Sequence, residues 1–475
     1  MKKKIMPILL CLAMIVMIIS ACGNSATSIK NNTAEDIGSA NEDNSGTISD
    51  DVQIVTVWSD NAHEKTIREA QIEKFNNTIG KEEGIKIEYT VYGTDYADVI
   101  NEALAANKGP DLFRPSSNTF AKYVKEGYAV PISNLAGSGA LLSKYNKSNL
   151  IIGNQIFDNK IYTLPYSLQS YKMIINRDLF DKAGITEVPT TWDEVREDAR
   201  IITQASEGDA YGYCLSLQSG WTLDHYIYGV ATPALGHFGY DAVSGSYRYS
   251  DGLPIIEDIL GMIRDGSVYP GYESMDADTA RAKFAEGKVG IVMAASFDVA
   301  VYTEQFPAKC NWVVCDPPAI KKEGYDYKEM VAAVDLLAVS KKALEAKDTS
   351  KVEKVLEWFY ADENLVEMYE QGMYIPYRSE VLDIAGESSV NGWKEFSTFK
   401  DNQFIIRMAD PKGVISYEGL SARETLAKLF EGGYQEDAEV VLKELDERLN
   451  RGLDNLEDKE REGYIAPPSY NVKRD

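Results

Sequence analysis

Cysteine and histidine are scarce in this chain: 5 and 3 of 475 residues. The three histidines, His63, His225 and His237, are too far apart for an H-E-x-x-H helix, and no C-x-x-C pair occurs. Both gaps argue against a zinc site. G-x-S-x-G and G-x-x-x-x-G-K-[ST] are also missing, so neither a hydrolase nucleophile elbow nor a phosphate-binding loop is encoded. Basic residues are the next shortage. Lys and Arg number 49 against 74 Asp and Glu, a formal charge of −25. Such a surface repels phosphate backbones and anionic lipid, which excludes nucleic acid and polybasic membrane docking. Long apolar runs are limited to Ile5–Ile19, 15 residues, whereas a spanning helix needs about 20. The rest is ordinary, with 44% apolar and 26% charged residues. At this length two lobes or domains are expected.

The apolar run follows Lys2-Lys3-Lys4 and ends in Ile19-Ser20-Ala21-Cys22-Gly23. A positive start, a short apolar stretch and small residues before a cut define a signal peptide over 1–21. The last residues resemble a bacterial lipobox with Ile where Leu is usual. That resemblance makes Cys22 the acylated first residue of the mature protein, anchored outside the cell membrane. Loss of 1–21 removes three lysines and moves the charge from −25 to −28. Residues 22–51 are dominated by Asn, Ser, Thr, Gly, Asp and Glu, with few large apolar residues, a flexible tether. Cys214, Cys310 and Cys315 remain. A strand over 310–315 would put its two thiols about 16 Å apart on opposite faces, beyond the ~7 Å between Cα atoms that a disulfide spans. Free, mostly buried thiols are expected.

Globular patterning begins at Gln53-Ile-Val-Thr-Val-Trp58, a strand, with a helix through about Asn77. Ile85, Ile87, Tyr89 and Val91 alternate as a second strand, and a helix follows over about Tyr96–Asn107. Repeated β-α-β units imply an α/β fold with mainly parallel sheets and helices on both faces. Capping boxes are expected at Thr191-Trp-Asp-Glu194 and Ser350-Lys-Val-Glu353. Ala438, Val441, Leu442, Leu445 and Leu449 make an apolar stripe on a late helix.

Several stretches in order resemble the family 1 extracellular solute-binding proteins, the maltose-binding-protein-like group. They are Leu164-Pro-Tyr166, Ile175-Asn-Arg-Asp-Leu-Phe-Asp-Lys-Ala-Gly-Ile185 and Pro189-Thr-Thr-Trp-Asp-Glu194. Gly109-Pro-Asp-Leu112, Phe284-Ala-Glu-Gly-Lys-Val-Gly290 and Trp358-Phe359 through Gln371-Gly-Met-Tyr-Ile-Pro376 support them. The resemblance covers about residues 52–455. It implies a two-lobe periplasmic-binding-protein-like fold with a three-segment hinge. One lobe would be 52–167 plus 333–373, the other 168–332 plus 374–475. It also implies a monomer that binds a carbohydrate between the lobes and hands it to ABC permease subunits, with no cofactor, metal or catalysis.

A sugar site needs aromatic platforms and planar polar groups, and the chain has 29 Tyr and 6 Trp. Ser59, Asp60 and Asn61 follow the first strand, and Ser116, Ser117 and Asn118 follow another strand end. Either triplet serves equally as a helix cap. By the resemblance, Gln169 lies in the lobe crossing where maltose-binding members carry a carboxylate, which points away from maltose itself. Trp221 follows a strand expected over Tyr213–Leu217 and falls where the family places a stacking aromatic, and Phe297 where many members have Trp. Tyr417 and Glu418 would lie near a third wall. The competing readings are a lipid-anchored glycoside hydrolase, since 74 acids offer many carboxylate pairs, and a surface adhesin. Among ligands, glycerol-phosphate diesters, polyamines and peptides compete with an oligosaccharide.

Overall fold

Alternation in the first strand decides how the first lobe is built. Val55 and Val57 are fully buried while Ile54 is half exposed, so Gln53–Ser59 presents one apolar face to a core. In this computed structural model, which describes residues 52–474 apart from 94, 116–118, 335 and 400–403, Gln53–Ser59 pairs in parallel with Ile85–Val91 and with Leu112–Phe113. Ala338–Ser340 and Ala129–Val130 complete a five-stranded sheet. Lys65–Asn77 returns the chain between the first two strands and buries Ile72 and Phe75. The short helix Ile79–Glu83 ends on Gly84 at φ 65°, a left-handed cap that glycine adopts without Cβ strain. The expected strands at 53 and 85 and the helix to Asn77 are all present.

The second lobe centres on Tyr171–Asn176 and Val289–Ala295, every residue of which is buried. Helices must therefore cover both faces of this sheet. Its order is Trp312–Cys315, Tyr171–Asn176, Val289–Ala295, Tyr211–Tyr213. Helix Trp192–Ser206 packs flat on it at Gly212, where a Cβ would collide with the backbone of Ala199. Tyr171–Asn176 runs antiparallel to both neighbours, so this sheet is mixed rather than mainly parallel. That strand enters from the lobe crossing instead of from a β-α-β unit, and nothing forces it into parallel register. Helix Ala438–Asp454 buries Val441, Leu442, Leu445 and Leu449, the expected stripe.

A third sheet carries the crossings. Ser167–Gln169 lies between Ile375–Pro376 and Glu329–Val334, antiparallel to both, and Phe404–Ile406 extends it. The strands that link the lobes are thus hydrogen-bonded to one another, an arrangement suited to bending as a unit.

Three local expectations need correction. Thr191 makes no capping hydrogen bond; Glu194 instead accepts from the Thr190 N–H and hydroxyl, both at 2.8 Å. The helix expected to open at Ser350 begins at Thr349, because Asp348, an equally good cap lying upstream, accepts from the Ser350 N–H at 2.9 Å. A full capping box occurs at Ser421 and Glu424 instead. The strand expected over 213–217 is confined to Tyr211–Tyr213. Cys214, Cys310 and Cys315 are free thiols, of which only Cys214 is fully buried. Cys22 and the segment 1–51 lie outside the described residues, as do Ser116, Ser117 and Asn118.

Candidate ligand-binding cleft

Loops from both sheets and the crossing strands enclose a cavity of about 590 Å³. That is within the roughly 300–1,000 Å³ usual for small-molecule clefts.

The first-lobe wall is polar and starts where strand Gln53–Ser59 ends. Ser59 Oγ accepts the Asn61 N–H at 3.1 Å, which closes the turn and points Ser59 away from the cavity. Asp60 pairs with Arg114 at 2.8 Å, and both line the cleft. Asn61 Nδ2 donates to Tyr374 Oη at 3.1 Å and to Glu64 Oε1 at 3.3 Å. Burial opposes the charge of Glu64, but Arg68, His63 and the Tyr374 hydrogen bond together hold its carboxyl below the usual range.

The second-lobe wall is aromatic. Trp221 packs edge-on against Tyr226 at 5.3 Å and against His225 at 5.8 Å, and Phe297 stands 6.1 Å away. The Arg281 guanidinium lies 5.3 Å from the Trp221 ring centre and 5.4 Å from that of Phe297, a cation–π arrangement. Asp298, 1% exposed, ties this wall together. It accepts from Arg281 at 2.8 Å, Tyr226 Oη at 2.7 Å and the Ala295 N–H at 2.8 Å. Below it, Asp224 takes Arg423 at 2.7 Å and Lys412 at 3.2 Å. These cations hold its carboxyl far below the usual range against the opposing effect of burial. His225 bonds Tyr171 Oη at 2.9 Å. Burial, with Arg407, Arg423 and Lys412 nearby, pushes its imidazole down to about 3, so the ring is neutral. Two π-helical turns, Asp224–Gly229 and Val301–Gln305, shape this side; such turns recur at functional sites.

The walls meet directly. His63 of the first lobe stands 5.6 Å from Phe297 of the second and 6.0 Å from Tyr374.

The sequence pattern that defines bacterial extracellular solute-binding proteins matches residues 60–365. The chain belongs to that family. Among curated relatives, a Brucella abortus protein named only as a putative binding protein is 28% identical over 197 residues. The match takes in 41% of this chain and 46% of that relative, so the chain spans about half the length of the first curated relatives it matches. A maltotriose-binding protein of Pyrococcus abyssi is 22% identical over 368 residues, 76% of this chain and 74% of that protein. A solved structure from work on xylan utilization by Caldanaerobius polysaccharolyticus superposes with a TM-score of 0.66 at 21% identity, covering 84% of this chain and all of that one. That likeness concerns the two-lobe fold. Both of these curated relatives are named as binding proteins.

Within this solute-binding fold, the cavity brings together Asp60, Asn61, Gln169, Trp221 and Phe297. Gln169 is buried in the crossing sheet opposite Ala332. Ser59, Tyr417 and Glu418 are not on the lining. Tyr417 packs against the second-lobe core and Glu418 faces solvent. The corresponding stretch of wall is supplied by Arg423, the second residue of the next helix. Sequence reasoning also missed His63, Arg114, His225, Arg281 and Tyr374. Tyr374 stands inside the Gln371–Pro376 motif, which was the one available signal. Arginines on polar helix faces carry none.

Proposed function

We propose that this chain is the lipid-anchored binding component of an ABC importer, and that it captures a neutral oligosaccharide in the interlobe cleft. One observation carries the choice of ligand class. Each arginine on the lining is matched by a carboxylate: Arg114 by Asp60, Arg281 by Asp298, and Arg423 by Asp224. A phosphate or carboxylate ligand would have to compete with these anions, whereas a neutral ligand leaves the pairs intact. Trp221 and Phe297 offer apolar faces to sugar rings, and Asp60, Asn61 and Gln169 offer hydrogen bonds to hydroxyls. Ser116, Ser117 and Asn118, outside the described residues, are kept as candidate ligand contacts on the sequence alone. The named ligand of the Pyrococcus relative, maltotriose, and the xylan context of the Caldanaerobius structure agree with this class. The boundaries 52–167 with 333–373, and 168–332 with 374–475, are proposed as the moving bodies of a monomer, with Tyr374, at the start of the last crossing, bonded to the first-lobe side.

Thermal-shift titration against maltotriose, xylotriose, raffinose, glycerol-phosphate diesters, polyamines and peptides tests the ligand class. Saturable stabilisation by an oligosaccharide is expected, with a smaller radius of gyration in small-angle scattering of the complex. Stabilisation by a phosphate diester or polyamine alone would reject the class. Release of product from a glycan would favour the glycosidase reading. For the anchor, Cys22→Ala should free the protein from the membrane fraction or leave its signal uncleaved, and unchanged processing with membrane retention would contradict acylation at Cys22.

A further inference from the structure

Residues 463–474 lie beyond the stretch matched by the family pattern, 60–365, and run along the second lobe toward the crossing sheet. The Tyr240 hydroxyl donates to the Tyr464 carbonyl at 3.1 Å, and the Ala466 N–H donates to the Ala242 carbonyl at 2.8 Å. Pro467 and Pro468 then stiffen the chain. Beyond them, the Tyr470 hydroxyl donates to the carbonyl of Ile406, on the outer crossing strand, at 3.0 Å. The Lys328 N–H donates to the Val472 carbonyl at 2.8 Å, and the Arg474 N–H to that of Asp326 at 3.2 Å. The segment thus ends at the root of the central crossing strand Glu329–Val334.

Its other end meets the first lobe. Gly153 is left-handed at φ 82°, and a Cβ there would stand 2.8 Å from Tyr464 Cε1 and 3.2 Å from its hydroxyl oxygen. Backbone and space therefore both demand glycine. A Cβ on Gly463 would in turn lie 3.5 Å from Ile152 Cγ2. The first-lobe loop that makes these contacts is braced from within. Gln155 Oε1 accepts the Ile151 N–H at 2.6 Å, and the Gly153 N–H donates to the Ile156 carbonyl at 2.9 Å. The loop also has a foot in each core. Leu150 and Ile156 are buried among first-lobe residues, whereas Ile151 is buried among those of the second lobe. Asn154, next to Gly153, lines the cleft.

We propose that residues 463–474 form a hinge strap, in which Tyr464 is a positioning residue that holds the loop Ile151–Ile156 against the second lobe and so sets the resting separation of the walls. The contact coexists with the approach of His63 to Phe297 across the cleft, at 5.6 Å. It therefore belongs to the arrangement in which the walls meet. No residue of the strap is on the cavity lining. Its effect on binding comes only through the balance between open and closed lobes. A ligand that needs the closed arrangement binds more weakly in proportion as that arrangement is depopulated. The inference goes beyond the oligosaccharide reading, because it requires only that the lobes move.

Variants of the full mature chain test this. Tyr464→Leu keeps an apolar side chain in the second-lobe core but withdraws the ring from Gly153. Gly153→Ala presses a methyl group against that ring. Gly127→Ala, at φ 72° with open space around the added carbon, controls for backbone strain alone. In small-angle scattering without ligand, the first two should have a larger radius of gyration than the wild type, and the control should match it. Adding Tyr464→Leu to Gly153→Ala should give no more expansion than Tyr464→Leu by itself, because the two residues act through one contact. Calorimetry with maltotriose, xylotriose and raffinose should show affinity about tenfold weaker in Tyr464→Leu, with a complex as compact as that of the wild type. An unchanged ligand-free radius in both variants overturns the strap. So does equal expansion of the Gly127→Ala control, or full affinity in a variant that has expanded. Should Tyr464→Leu fail to fold, Gly153→Ala, which leaves the second-lobe core intact, carries both measurements against the same control. If none of the three sugars binds, the oligosaccharide reading fails, and the ligand-free scattering alone decides the strap.

Discussion

Both walls of the cleft are built around a buried arginine–carboxylate pair, but the pairs face opposite ways. In the first lobe Arg68 sits behind Glu64, off the lining and against Phe359. In the second, Arg281 sits in front of Asp298, on the lining and between the Trp221 and Phe297 rings. One pair therefore orients neutral hydrogen-bonding groups, and the other holds aromatic rings in place with a cation whose charge is answered from behind. Taking two charges out of water is expensive, and neither pair is a stability device on its own account. Their common use is to fix geometry at a surface that ligand must match.

The harshest way to break this symmetry is Asp298→Ala. It leaves Arg281 without its buried anion and strips partners from Tyr226 and the Ala295 N–H. Removal of one member of a buried pair should lower unfolding stability by about 3–5 kcal/mol. Asp278 also bonds Arg281, at 2.9 Å, but from an exposed position, where such a pair contributes little. Replacing Arg281 by Met in the same background should recover much of the loss, because no unpaired charge then remains. Denaturant unfolding of the three proteins decides it. A loss below 1 kcal/mol in the single variant, or no recovery in the double, would show that the second pair does not organise its wall.

A milder cut separates affinity from orientation. Trp221 is only half buried, and its contacts are the rim aromatics and Arg281 rather than the lobe core. Trp221→Ala should therefore weaken binding of the best oligosaccharide in the panel by about 1.5–3 kcal/mol, as for other aromatic anchors. The melting temperature of the ligand-free protein should move little. Full affinity with a lowered melting temperature would assign Trp221 to packing and leave the second wall without its platform.

How far the sequence foretold these walls follows from what is local and what is not. Strand Gln53–Ser59 and helices Lys65–Asn77 and Ala438–Asp454 were legible because burial imposes a period of 2 or 3.6 on their own residues. The turn Asp60–Asn61 was legible as a place, since strand ends in α/β folds gather ligand loops. What Asn61 does there was not, because its orientation is set by Tyr374, 313 residues away. Arg281 and Arg423 were invisible for the same reason. A helix-face arginine becomes part of a wall only when the tertiary fold aims that face at a cleft. The antiparallel strand Tyr171–Asn176 escaped because local propensity does not encode strand direction, and Asp348 won over Ser350 because neighbouring caps compete within one turn.

The smallest expected effects are pH-dependent and run in opposite directions in the two lobes. In the first lobe, burial with Glu357 alongside raises the carboxyl of Glu353 to about 7, against the pull of Lys144 and Lys354. Its Oε1 has no hydrogen-bond partner among the described residues. A carboxyl raised on folding contributes its stability in full below the unfolded value near 4.5, and that contribution is lost as pH rises through about 7. His225 in the second lobe is lowered from 6.5 to about 3. A depressed histidine contributes in full above 6.5, and its contribution is lost as pH falls toward 3. The wild-type protein should therefore be most stable at mildly acidic pH, flanked by one slope from each lobe. Glu353→Gln mimics the protonated acid, so it should match the wild type near pH 5 and exceed its stability at pH 8 by roughly 1–2 kcal/mol. The acid-side slope should persist in that variant, because His225 is untouched. Melting temperatures from pH 4 to 9 read both limbs. If Glu353→Gln gains nothing at pH 8, Glu353 is ionised and solvated in the folded protein, and the alkaline limb has another origin.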